Sequence, residues 1–213
     1  KFIADFKPQV VNLILDFFDD GPNYGTMTYN STGFIRKGLF EQSMIFSGNM
    51  PFYNGEDMIK GRVGEVKFEM SELIVKDYSK VRNNLDTIFK GVFIYARFNK
   101  SMRGTVLIIP DKYRQYITRS LKLFSRKKKG AEVLKGKLLP EFDEVFDGFA
   151  TRDADVSNLL SHDMQRSIIE HHHKSGKDFF ISFVNNNIYV GVTEPKDILE
   201  PFVFRSNVSY DLI

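Results

Sequence analysis

The sequence contains no cysteine and no tryptophan among its 213 residues. The absence of cysteine excludes disulfide bonds, thiolate metal sites and a cysteine nucleophile, and it fits a reducing compartment. No apolar run approaches the ~18 residues that span a bilayer, and no secretory signal is present. What the chain has in excess is aromatic: 21 Phe and 9 Tyr, which predict aromatic-rich strands.

The length is that of one large domain or two small ones, and we predict a single soluble α+β domain over residues 1–213. The sequence begins with Lys1 rather than methionine, as it would after removal of either an upstream membrane anchor or a disordered end. Residues 1–20 predict an N-terminal helix, which would be membrane-proximal if an anchor precedes it. Its apolar residues recur at three- and four-residue steps: Phe2, Phe6, Val10, Leu13, Ile14 and Phe17.

Residues 56–77 predict the first antiparallel hairpin. Val66, Phe68 and Met70 alternate with charged residues, which is the period of a half-buried strand. The alternation slips at Ser71–Glu72, and such a slip predicts a β-bulge on this strand. Polar residues 76–87 then connect this hairpin to the next segment.

Residues 91–109 predict a second hairpin, with its turn at Asn99–Gly104 and its end at Pro110. Both faces of residues 91–98 are mostly apolar, which is typical of a strand in the centre of a sheet. Residues 178–192 predict a third hairpin, because Asn185 to Asn187 form a turn of residues that accept positive φ.

A helix from Ser161, its predicted N-cap, to Ser175 precedes this last hairpin, and Gly176 ends it. We expect Leu160, Met164 and Ile168 to face inward. The sequence therefore predicts an α+β fold: an antiparallel β-sheet built from hairpins, with an N-terminal helix and a helix before the last hairpin.

Charge is unevenly distributed. Residues 112–137 hold ten Lys or Arg and one acid, so this basic segment carries +9 while the whole chain carries +3. Such an excess is typical of a site for a polyanion such as anionic lipid or nucleic acid. The alternative is a solvated connector, because like charges repel.

Nucleic-acid binding would require aromatic stacking platforms beside these charges. Tyr113, Tyr116 and Phe124 could serve, but they equally form the core side of a predicted helix over residues 111–124. The sequence contains no RNP-like or helix-turn-helix signature, so we expect no nucleic-acid partner.

The four histidines do not have metal-site spacing. His171, His172 and His173 fan around a helix, and His162 lies about 16 Å from His173 along it. Residues 141–155 are acidic, but Asp147, Asp153 and Asp155 lack the pattern of a calcium loop, so we expect an exposed acidic surface that faces the basic segment. The sequence predicts no metal and no cofactor.

Nucleophile and phosphate-loop motifs are also missing. Glu56 and Asp57 are adjacent on a strand and should point to opposite faces. These absences favour a non-enzyme. The alternative is a hydrolase that uses a carboxylate or His162 in a pocket, and the convergence of Glu56, Asp57 and Arg97 would support it.

The chain resembles the domain of unknown function 3137 family of bacterial membrane-anchored proteins. The resemblance rests on residues 53–64, 68–72 and 89–100, on Gly104 and Pro110–Asp111, on Phe142, Phe146 and Phe149, and on Ile181–Phe183. It implies a pair of transmembrane helices upstream and a domain that faces the cytoplasm at the inner membrane. It transfers no catalytic residues.

We therefore predict a non-catalytic module that binds a protein partner or anionic lipid headgroups. The residues predicted to carry this binding are Lys122, Arg126, Lys127, Lys128 and Lys129. Each basic residue near an anionic surface contributes about 1 kcal/mol.

Overall fold

A computed structural model of the chain describes residues 24–79, 82–98, 102–114, 121, 122, 124, 126 and 131–195. The predicted N-terminal helix over residues 1–20 lies outside these ranges. The described residues form one nine-stranded sheet with a few helices. Its strands are β1 Tyr24–Asn30, β2 Phe52–Val63, β3 Val66–Ser79, β4 Asn84–Arg97, β5 Thr105–Pro110, β6 Glu132–Val133, β7 Phe146–Ala150, β8 Phe179–Val184 and β9 Asn187–Thr193.

All strand pairs are antiparallel, and their order across the sheet is β1-β2-β3-β4-β9-β8-β5-β7-β6. The labelled helices are α1 Lys37–Gln42, α2 Pro140–Asp143, α3 Val156–Leu159 and α4 His162–Ser175. Strand β4 lies in the interior of this order, as its two apolar faces indicate. The molecule is thus mostly β.

The predicted hairpin over residues 91–109 is wrong. Strand β4 pairs with β3 and β9, while β5 pairs with β8 and β7. The β8–β9 hairpin therefore lies between the two strands that the sequence suggested as partners. Strands β4 and β5 are therefore separated by two strands in the sheet.

The β-bulge lies on β2 and not on β3. Glu56 pairs with Glu72 and Ile59 pairs with Met70, so Asp57 and Met58 together oppose Ser71. Asp57 has a φ of 59°, which is the left-handed conformation that bulges accommodate. Strand β3 keeps its alternation: Leu73 and Val75 are buried in the first core, whereas Val66, Phe68 and Met70 are half-buried on the other face.

Each face of the sheet carries a core. The first core lies under residues 34–50, and it includes Ile35, Phe40, Phe46, Leu73, Phe89, Phe93, Leu107, Phe124, Phe180 and Tyr189. Two buried hydrogen bonds hold this cover to the sheet: Ile35 N donates to Ser71 Oγ at 3.0 Å, and Ser182 Oγ donates to the Ser43 carbonyl at 2.7 Å.

The second core lies on the opposite face, and it includes Val106, Ile108, Leu134, Phe142, Phe146, Leu160, Ile169, Phe179 and Ile181. Helix α4 covers it. Ser161 caps the helix by accepting from Met164 N, and Gly176 ends it with a φ of 65°, in agreement with the sequence. Met164, Ile168 and Leu160 pack in this core as predicted.

Two tyrosines should resist alkaline ionisation. Burial raises the pKa of Tyr189 to about 12, with a further contribution from Tyr95 and an opposing hydrogen bond from Asn187. Burial and then the charge of Glu41 raise the pKa of Tyr53 well above its usual value. An unfolded tyrosine ionises near pH 10, so the free energy of unfolding should be fully retained below pH ~10 and fall as pH rises toward ~12.

A spectrophotometric titration of the folded protein tests this, with Tyr53→Phe and Tyr189→Phe as the assignment variants. We expect Tyr53 and Tyr189 to ionise late, so each variant should lose one late transition. Simultaneous ionisation of all tyrosines near pH ~10 in folded protein would contradict the prediction.

Candidate functional site

The described part of the basic segment includes a helical stretch. Leu121, Lys122, Phe124 and Arg126 are helical, and we name this stretch the basic helix. Phe124 is fully buried in the first core, and Leu121 packs against that core. Lys122 and Arg126 are exposed. They are four residues apart and therefore share one face, about 160° from Phe124.

The basic helix thus presents two cations to solvent from a fixed position. Of the five predicted binding residues, the structure places Lys122 and Arg126 on this face. Lys127, Lys128 and Lys129 lie outside the described residues. The burial of Phe124 agrees with its predicted position on the core side of a helix.

The first two cations of the basic segment are neutralised locally. Lys112 Nζ lies 2.8 Å from Asp178 Oδ1, and Arg114 Nη1 lies 3.2 Å and 3.3 Å from the two oxygens of Asp147. Both carboxylates are buried, with 6% and 7% exposure, so each cation lies against a buried acidic side chain. The positive charge that remains available therefore lies further along the segment.

The expectation that Asp147 lies on an exposed acidic surface is wrong. Asp147 belongs to β7, where all five residues are buried, and its charge is matched by Arg114. The apolar neighbours Phe146 and Phe149 were the sequence signal for its burial. Asp153 and Asp155 are exposed as expected, and Asp155 caps α3 by accepting from Asn158 N.

Two of the histidines, His171 and His172, contribute to packing at the end of α4. His172 Nδ1 lies 2.7 Å from the Lys177 carbonyl oxygen. The His172 ring meets the Phe146 ring edge-on, with 5.6 Å between the ring centres. His171 makes a similar contact with Phe179 at 5.2 Å. The described residues contain no group of three His, Cys, Asp or Glu that could hold a metal ion.

Glu56, Asp57 and Arg97 do not converge. Glu56 lies opposite Glu72 on β3, whereas Arg97 lies opposite Lys67. Lys67 and Glu72 are five positions apart along β3, which corresponds to about 17 Å. Asp57 is buried and accepts a hydrogen bond from the Tyr29 hydroxyl, so its carboxylate has a structural role at the bulge.

A cleft of about 490 Å³ lies where α3 and α4 meet the residues after β6. Its apolar floor includes Leu134, Leu138 and Leu160. Its titratable side chains are Glu132, Lys137, Asp155, His162 and Asp163. Because the cleft gathers several such groups, it is where the hydrolase alternative would have to place its chemistry.

Several polar groups of this cleft have local structural partners. Lys137 pairs with Glu132 at 3.1 Å, and Arg166 pairs with Asp163 at 3.3 Å. The Ser161 hydroxyl caps α4. Among the hydrogen bonds of the described residues, none joins a hydroxyl nucleophile to a histidine base, the arrangement that acyl transfer requires.

Within the described ranges, no helix has both the length and the apolarity needed to cross a membrane. No curated protein and no solved structure matches the chain. A family model described as "Protein of unknown function (DUF3137)" matches residues 87–213, which contain most of β4 and all of β5 to β9. The chain therefore belongs to the DUF3137 family of proteins of unknown function.

Proposed function

We propose that this domain is a non-catalytic module that binds an anionic membrane surface at the cytoplasmic side of the bacterial inner membrane. The observation that carries the proposal is the basic helix, in which buried Phe124 holds Lys122 and Arg126 outward. A preorganised pair of cations loses less conformational entropy on binding than a pair on a flexible connector.

The charge distribution supports an anionic partner. Lys112 and Arg114 are matched by buried carboxylates, whereas Lys127, Lys128 and Lys129 follow Arg126 directly in the sequence. A cluster of this density attracts acidic headgroups, with about 1 kcal/mol for each residue near the surface. The family resemblance, which implies a membrane anchor upstream, supports the same location.

Cosedimentation with liposomes tests the proposal. We expect binding to phosphatidylglycerol-containing vesicles, weak binding to pure phosphatidylcholine vesicles, and a decrease with salt. The double variant Lys122→Glu/Arg126→Glu should bind anionic vesicles about 30-fold more weakly or worse, since it removes two cations worth about 1 kcal/mol each.

The matched control is Arg166→Glu/Lys174→Glu. It makes the same change in net charge at exposed positions on α4, which covers the opposite face of the sheet. We expect a much smaller effect. Equal binding by the two double variants, or salt-insensitive binding to both kinds of vesicle, would refute the proposal; binding to an acidic protein instead of lipid would replace it.

A further inference from the structure

Strands β3 and β4 extend past the rest of the sheet. Pairing of β2 with β3 ends at Phe52 and Lys76, and pairing of β4 with β9 ends at Gly91 and Thr193. Beyond these points β3 and β4 pair only with each other, as far as Ser79 and Asn84. We name residues 76–79 and 82–87, with Phe52 at their base, the hairpin arm. It projects about 20 Å beyond the last β9 pair.

One face of the hairpin arm is apolar and exposed. Phe52, Tyr78 and Leu85 are 38%, 50% and 42% exposed. Lys76 pairs with Phe52 on one side and with Thr87 on the other, and Tyr78 pairs with Leu85. Directly paired residues share a face of the sheet, and so do Lys76 and Tyr78, which are two residues apart on β3. The three apolar side chains therefore lie on the same face. The described residues include five large apolar side chains that are exposed. These three are on the arm, and the other two are Val63 and Val133.

Polar contacts hold the arm in shape, because a two-stranded ribbon is marginally stable by itself. The Tyr78 hydroxyl donates to Asn83 Oδ1 across the turn, and Arg82 pairs with Asp86 at 3.4 Å. At the base, Met50 N donates to Asp77 Oδ1 at 3.2 Å. The arm therefore presents its apolar side chains without burying them.

A cation lies beside the apolar face. Lys76 Nζ lies 5.2 Å from the centre of the Phe52 ring. In sequence, residues 76–90 contain Lys76, Lys80, Arg82 and Lys90 against Asp77 and Asp86, a net charge of +2. Arg82 pairs with Asp86, so these two charges offset each other. Aromatic and aliphatic side chains bordered by cations suit the interface of an anionic bilayer.

The arm and the basic segment leave the sheet at the same end. In the antiparallel order β4-β9-β8-β5, the start of β4 lies at the same end as the close of β5. Pro110 closes β5, and Lys112 and Arg114 follow at once. One approach of the sheet to a planar surface could therefore engage both features.

We propose that the hairpin arm is a second lipid contact, in which Phe52, Tyr78 and Leu85 enter the headgroup–acyl boundary of an anionic bilayer. This inference rests on the proposed function and adds a contact at the end of the sheet from which the basic segment leaves, with the apolar side chains of the arm on the opposite face of the sheet from Phe124. A lipid surface fits the arm because its apolar side chains are exposed and because Lys76, which lies over the Phe52 ring, matches anionic headgroups.

The lack of tryptophan allows a single-residue reporter of insertion. Tyr78→Trp in the full chain should show a blue-shifted emission on addition of phosphatidylglycerol vesicles and strong quenching by acyl-chain-brominated lipid. Val63→Trp is the matched control, since Val63 is 44% exposed at the opposite end of β2. Its emission should not change.

A second variant tests energetics without the reporter. Phe52→Ser/Leu85→Ser should bind anionic vesicles about tenfold more weakly or worse, since two partly buried apolar contacts are lost, while its melting temperature stays close to that of the parent. Both side chains are exposed, so the change should not disturb either core.

The outcomes separate this inference from the proposed function. If anionic vesicles bind through Lys122 and Arg126 but the emission of Tyr78→Trp does not change, the arm is not a lipid contact and the proposed function still stands. A response of Tyr78→Trp with vesicle binding insensitive to Lys122→Glu/Arg126→Glu would overturn the proposed function instead. If Phe52→Ser/Leu85→Ser alters self-association but not vesicle binding, the lipid contact is wrong and the arm instead contacts a second copy of the chain.

Discussion

Replacing Gly91 with alanine should lower the free energy of unfolding by about 3 kcal/mol or more, from the combined cost of backbone strain and overpacking. Gly91 has a φ of 150°, which side chains rarely adopt. A Cβ there would lie 2.0 Å from the Val192 carbonyl oxygen and 2.6 Å from Glu194 N. Both are backbone atoms, so relief of the overlap would require displacing the chain at the end of the β4–β9 ladder.

Urea unfolding of Gly91→Ala measures this cost, and Gly38→Ala is the control. Gly38 lies inside α1 with nothing within 4 Å of an added Cβ, so alanine should stabilise the protein by up to about 1 kcal/mol through its higher helix propensity. Failure of Gly91→Ala to fold agrees with the prediction. A Gly91→Ala protein that unfolds at the parental urea midpoint would contradict it.

Features with local causes could be predicted from the sequence. Helix α4 begins after Ser161 and ends at Gly176 because capping and the left-handed stop depend on residues within one turn. The turn between β8 and β9 has positive φ at Asn185 and Asn186, which the asparagine run indicated. Both features are determined by neighbours in the chain.

The partner of β4 could not be predicted in the same way. The apolar faces of residues 91–98 indicated a central strand, but any apolar strand could have lain beside it. Pairing with β9 buries Phe93 and Tyr189 in the first core. It also packs the residues on either side of Tyr189 against the second core. Such a choice is made by packing on both faces of the sheet, which no local pattern encodes.

The candidate sites show the same limit. Composition located the basic segment, but the neutralisation of Lys112 and Arg114 depends on Asp178 and Asp147, which are distant in sequence. The hairpin arm was missed because residues 76–87 look like a polar connector. Tyr78 and Leu85 become a surface feature only when pairing places them side by side on the arm.

Replacing Phe124 with alanine should weaken both the fold and lipid binding. Deleting a fully buried phenyl ring costs about 3–5 kcal/mol, and Phe124 has no exposed surface. Because the same ring fixes the basic helix against the first core, its loss should also release Lys122 and Arg126 from their shared outward position. Under the proposed function, anionic vesicle binding should then fall at a temperature where the variant remains folded.

Phe142→Ala separates the two effects. Phe142 is equally buried, but it lies in the second core on the opposite face of the sheet, so its loss should cost a similar free energy of unfolding without moving the basic helix. Phe124→Ala should therefore lower both the free energy of unfolding, measured with denaturant, and vesicle cosedimentation. Phe142→Ala should lower only the free energy of unfolding. Equal loss of binding in both variants would show that global stability controls binding, and undiminished binding by Phe124→Ala would show that the basic helix needs no anchor in the core.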